Sequence, residues 1–129
     1  MKFTFRPDSR LIVVNVHLFG EHKEEIVGRF ALDTGATYSL INVHRAVLLG
    51  YDPAASEKRV QITTGSGIEF AAQITVKEVT ALGQTRTNFP ILCHTLPPSA
   101  LVDGLLGLDF FRDTILNIDF VNGVITLNS

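Results

Sequence analysis

Hydrophobic positions recur along this chain in short bursts with a period near two, broken at regular intervals by Gly, Pro, Asn and Asp. Residues 2–6 alternate, with Phe3 and Phe5 on one face, before Pro7 and Asp8 break the run. Residues 11–19 are apolar and β-branched and predict a strand. The polar residues 20–25 (GEHKEE) predict a turn, and residues 26–32 the returning strand of a hairpin. After a turn at 33–36, residues 37–41 are again β-prone. Residues 42–50 (NVHRAVLLG) predict a short helix, with Asn42 as N-cap and Gly50 as stop.

Downstream, residues 51–58 predict a polar loop and residues 59–64 a strand, with Gly65-Ser66-Gly67 as a hairpin tip. Residues 68–82 predict a long strand with one face buried, and Gly83-Gln84 turns the chain into a strand over 85–94. Residues 97–99 (PPS) predict a loop. Residues 101–106 are apolar and lead into Gly107, and residues 108–112 predict a single helical turn. Residues 115–120 and 124–127 predict a closing hairpin over Val121-Asn122-Gly123. Many short strands with one or two short helices imply an all-β fold, closed or sandwiched. No repeat, linker or low-complexity segment interrupts it, so residues 1–129 are expected to form one domain.

Composition narrows the function classes. Hydrophobic residues make up 46% of the chain, enough for a real core, while charged residues are 19% and the net charge is −2. That balance gives no electrostatic grip on nucleic acid or anionic lipid, so neither is expected as a partner. The longest apolar runs, such as residues 11–14 and 46–49, are too short to span a bilayer. The first ten residues lack the apolar core of a signal peptide. The single cysteine, Cys93, excludes an internal disulfide and fits a reducing compartment, so a cytoplasmic location is expected. Cys93 itself lies in the apolar run 89–93 and reads as a small buried hydrophobe, not a nucleophile.

The candidate chemistry sits at Asp33-Thr34-Gly35-Ala36. The run Phe30-Ala31-Leu32 delivers a carboxylate to the end of a buried strand, where ionised groups are disfavoured unless paired. Asp-Thr-Gly is also an ordinary turn sequence, since Asp caps backbone amides and Gly tolerates positive φ. A second pattern raises its meaning. Leu105-Leu106-Gly107 places two bulky aliphatics before a glycine and a short helix, with Asp109 near the helix's first turn.

Together these motifs resemble the retropepsin-like aspartic proteases, the single-domain relatives of pepsin found in retroviral, cellular and bacterial forms. A hydrophobic strand enters Asp-Thr-Gly-Ala at residues 32–36, a glycine-bearing hairpin follows at 62–68, and aliphatic-aliphatic-Gly follows at 105–107. The order agrees, and the resemblance covers nearly the whole chain. It implies a single-domain closed β-barrel that forms one half of a homodimeric aspartic endopeptidase. Asp33 would be catalytic, with Thr34, Gly35 and Ala36 shaping the active-site loop. Thr64, Gly65, Ser66 and Gly67 would form a flap over an extended peptide or protein substrate. Leu105, Leu106 and Gly107 would cross the acid's loop in a Ψ-shaped arrangement, and Thr34 would hydrogen-bond across to the partner's loop.

One chain supplies one Asp-Thr-Gly, so the resemblance implies two chains about a two-fold axis. Two charges about 3 Å apart repel by roughly 5 kcal/mol at an effective dielectric near 20, so the pair would share a proton. No metal or other cofactor is required. His17, His22, His44 and His94 lack metal-ligand spacing. Asp103, before Gly104, reads as a turn residue, and Asp119 as structural. Gly65-Ser66-Gly67 lacks the Lys of a phosphate loop. The alternative from another class is a non-catalytic retropepsin-like module that dimerises or binds peptides.

Overall fold

The computed structural model describes residues 1–22 and 24–129. Its strands are β1 (Lys2–Thr4), β2 (Val13–Phe19), β3 (Glu25–Leu32), β4 (Leu40–Asn42), β5 (Arg59–Thr64), β6 (Gly67–Ala81), β7 (Gln84–His94), β8 (Gly104–Leu106), β9 (Ile115–Asp119) and β10 (Val124–Asn128). Two short helices, α1 (Val43–Leu48) and α2 (Leu108–Phe111), and 3-10 turns at Pro53–Ala55 and Pro98–Ala100 complete it. The fold is all-β and of the expected closed type.

The larger sheet runs β2-β3-β8-β4-β7-β6-β5, and β2 also pairs with β6, through His17↔Thr80 to Phe19↔Glu78. That extra pairing closes β2, β3, β8, β4, β7 and β6 into a barrel and leaves β5 outside it as the far arm of a hairpin. Closure follows from the side-chain period. In β2, Val14, Val16 and Leu18 point inward while Asn15 and His17 point out. Phe30, Ile41, Val76, Ile91, Leu106 and Phe110 meet them from the other elements, all fully or nearly fully buried. Each such side chain contributes about 1.5–3 kcal/mol relative to exposure. The terminal strands form a second sheet, β1-β10-β9, all antiparallel.

Several boundaries differ from the sequence expectation. The hairpin turn joining β6 and β7 lies at Leu82-Gly83, one residue early, because Ala81 pairs with Gln84. Leu82 accepts a positive φ of 52° there, which an apolar residue rarely does, and it is buried at 4% exposure. Packing of the side chain overrides the local preference. The run expected over 37–41 becomes a bend followed by β4, and the apolar run 101–106 is extended only over its last residues. The helix over 42–50 shortens to α1, and Asn42 caps it by accepting from the His44 N–H at 3.0 Å. The polar turn over 20–25 includes Lys23, which lies outside the described residues. Beside it, the Gly20 N–H donates to the Glu24 carbonyl at 2.7 Å.

Candidate active site

β3 delivers Asp33, and β8 holds it. The two strands run parallel, pairing Phe30 with Gly104, Ala31 with Leu105 and Leu32 with Leu106. One residue further on, the Asp33 N–H donates to the Leu106 carbonyl at 2.9 Å. The turn closes through the Ala36 N–H to the Asp33 carbonyl at 3.2 Å, and the Leu108 N–H donates to the Ala36 carbonyl at 2.8 Å. Residues 106–108 therefore grip the loop at both ends. A Cβ on Gly107 would stand 2.8 Å from the Ala36 oxygen and from the Tyr38 carbonyl carbon and oxygen. These are backbone atoms that cannot yield, so the crossing requires glycine.

Gly35 serves differently from what a turn sequence suggests. The glycines with positive φ are Gly50, Gly67, Gly83 and Gly123, and Gly35 is not one of them. Its N–H donates to Asp33 Oδ1 at 3.0 Å, and a Cβ there would stand 3.2 Å from the same oxygen. What Gly35 supplies is an amide and room for the carboxylate. Asp33 is half-buried, and among the described residues its Oδ2 accepts no hydrogen bond. Thr34 and Gly35 are exposed.

A connection between distant positions supports this loop. Ser39 is polar yet fully buried, at 0% exposure. Its hydroxyl donates to Asp109 Oδ1 at 2.6 Å, and its N–H lies 3.0 Å from both Asp109 oxygens. In turn the Ser39 hydroxyl oxygen accepts the buried Gly107 N–H at 2.9 Å. Asp109 does lie in the first turn of α2, but its partner is 70 positions away. The Arg86 guanidinium fixes the other end of α2, donating to the Phe110 and Arg112 carbonyls and lying 5.4 Å over the Phe110 ring. A lone serine inside the run Tyr38-Ser39-Leu40-Ile41 was the one available signal, since a polar group there must find a partner once buried.

The β5–β6 hairpin projects away from the barrel. At its tip the Thr64 hydroxyl donates to the Gly67 carbonyl at 3.2 Å and its oxygen accepts the Ser66 N–H at 3.2 Å. Gly65 and Gly67 have open space where a side chain would be. Between this hairpin and the acid's loop lies a cleft of about 940 Å³. Gly35, Ala36 and Tyr38 wall one side, and Thr64, Gly65 and Ser66 the other. Leu92, His94 and Leu96 also line it. Asp33 itself is not a wall residue; the cleft reaches its loop through Gly35 and Ala36.

The family model described as aspartyl protease matches residues 14–110, a span that contains the acid's loop, the hairpin and the 105–107 crossing. The chain belongs to the aspartyl protease family. Among solved structures, the crystal structure of a retropepsin-like aspartic protease from Rickettsia conorii matches with a TM-score of 0.73 at 23% identity. The match covers 99% of this chain and 89% of that one, and it shows that the aspartyl protease chain has the retropepsin-like fold. No curated protein sequence matches.

Asp103 and Asp119 of this aspartyl protease chain are engaged elsewhere. Asp103 accepts the Arg29 N–H at 2.8 Å and Arg45 Nε at 3.1 Å, bracing the approach to β8. Asp119 caps the β9–β10 turn. The Asn122 side-chain amide, then the Asn122 and Val121 N–H groups, hold its carboxyl below the ordinary carboxylate range. Burial pushes the Cys93 thiol up to about 11, so it is a neutral packing group at neutral pH. Among the described residues no three His, Cys, Asp or Glu side chains gather to hold a metal. Among those residues no helix is long and apolar enough to cross a membrane.

Proposed function

We propose that this chain is an aspartic endopeptidase that works as a homodimer, residues 1–129 forming one half of the enzyme and Asp33 of each subunit one half of the catalytic pair. The observation that carries the reading is the acid's setting. Its backbone is gripped by β8, one carboxylate oxygen takes the Gly35 N–H, and the other takes no hydrogen bond among the described residues. One chain carries one Asp-Thr-Gly, so the second carboxylate comes from a second copy. The exposed Thr34 is free to reach across the two-fold axis to the partner's loop.

With two Asp33 carboxylates astride one water, the ionised member takes a proton from the water as it attacks the peptide carbonyl. The protonated member donates to the carbonyl oxygen. Thr64, Gly65, Ser66 and Gly67 close as a flap over an extended peptide held as an added strand. Leu105, Leu106 and Gly107 keep the acid's loop in register. No metal or other cofactor enters the reaction. Because a one-proton pair acts only between its two macroscopic pKa values, peptide hydrolysis is expected to follow a bell-shaped pH profile with an alkaline fall. A kcat/KM that keeps rising into the alkaline range points to a different base and sinks the dyad.

The two-chain site has a numerical consequence. When wild-type and Asp33→Asn chains are co-refolded in equal amounts, about a quarter of the dimers are wild-type and about half are mixed. If a mixed dimer is inactive, hydrolysis per wild-type chain is expected to drop to about half. Dilution lowers it further by mass action. Activity per wild-type chain that ignores added mutant after verified exchange rules out the shared site.

A further inference from the structure

The cleft wall carries one charged pair that the catalytic reading does not use. Glu69 projects from β6 into the cleft, and His94 stands at the end of β7 in the same wall. Glu69 Oε2 lies 3.4 Å from His94 Nε2, with the two side chains 41% and 25% exposed. On its other side the ring's Nδ1 lies 2.9 Å from the Thr95 carbonyl oxygen. The Thr95 carbonyl can only accept, so Nδ1 carries the proton that orients the ring, and Nε2 faces one oxygen of Glu69. The second oxygen and nearly half of the side chain's surface remain open to the cleft. Ile62, Thr63, Leu92, Leu96 and Gln61 also line the wall, and among the described residues no Lys or Arg does.

We propose that Glu69, beside His94, is a specificity-determining residue that selects a basic side chain, Lys or Arg, in the bound peptide. This deepens the endopeptidase reading and rests on it for the identity of the ligand as a peptide. The chemistry is direct. An extended peptide presents alternate side chains to the wall, and an ammonium or guanidinium placed beside Glu69 gains a partner that nothing else in the wall supplies. A carboxylate there meets like charge, and no Lys or Arg among the described lining residues relieves it.

The test uses peptides identical except at one residue, which is Lys, Gln or Glu, with that residue walked along the sequence. Cutting is measured with the wild-type protein. Binding is measured separately on an Asp33→Asn background, so that a charge preference is readable without hydrolysis. At one position of the series Lys is expected to exceed Glu by about tenfold, a size suited to a partly exposed ion pair. Glu69→Gln, which preserves shape, is expected to reduce the ratio to about twofold, and Glu69→Lys to reverse it. A ratio that stays the same in both variants, or is absent in the wild type, overturns the selectivity and leaves the peptidase intact. Binding that shows the Glu69-dependent ratio without any cutting supports the subsite and overturns the peptidase. A chain that neither binds nor cuts any of the peptides overturns both.

Discussion

Asp33→Asn is expected to reduce peptide hydrolysis by roughly a thousandfold or more while leaving the fold unchanged. The two halves of that expectation have separate physical grounds. An asparagine amide matches the carboxylate in shape, and its oxygen still accepts the Gly35 N–H that Asp33 Oδ1 accepts at 3.0 Å. The clamps on the loop are backbone to backbone, Asp33 N–H to Leu106 and Leu108 N–H to Ala36, and the substitution touches neither. What is lost is the ability to take a proton from water or to donate one to the carbonyl oxygen, and both steps need it. The measurement is kcat/KM on a peptide pool mapped by mass spectrometry, beside a urea unfolding curve. Hydrolysis at the wild-type rate by a purified, normally folded variant means that the carboxylate doing the chemistry is not this one.

The period-two pattern made most of the barrel legible, because burial on one face of a strand forces alternation. It is clear in Val14, Val16 and Leu18, and nearly the full length of β6 was readable. What alternation does not encode is which strand lies beside which. The pairing of β2 with β6 that closes the barrel joins residues about sixty positions apart, and no local signal marks it. The hairpin at Leu82 was misplaced for a related reason. Its φ of 52° is tolerated because the side chain is buried, a tertiary effect that outweighs turn propensity. At the site, Asp33 and Gly107 were legible because their motifs are contiguous. Asp109 was assigned only to its own helix, and the Glu69–His94 pair was not seen, because each depends on a partner that the fold alone brings near.

Asp109→Ala is expected to be the most destabilising change in this region, at about 2–5 kcal/mol. Deleting the carboxylate leaves the N–H and hydroxyl of the buried Ser39 without the acceptor both now use. An unsatisfied buried donor costs about 1–3 kcal/mol, and two are created here. Against a domain stability of about 5–15 kcal/mol the loss is large, and the melting temperature should fall by roughly ten degrees or more. Asp109→Asn should cost less, since its amide oxygen still accepts one of the two donors. Ser39→Ala removes the hydroxyl donor to Asp109 while keeping the Ser39 N–H, and it strands the Gly107 N–H, so it should also destabilise. The three groups form one chain, so the double variant Ser39→Ala, Asp109→Ala should cost clearly less than the two single costs added together. Urea denaturation of the four proteins gives the cycle. Additive costs would mean that Ser39 and Asp109 act separately, and that the link from α2 through Ser39 to Gly107 does not hold the crossing beneath Asp33. A strong coupling places the rigidity of the acid's loop in a helix of four residues, Leu108-Asp109-Phe110-Phe111.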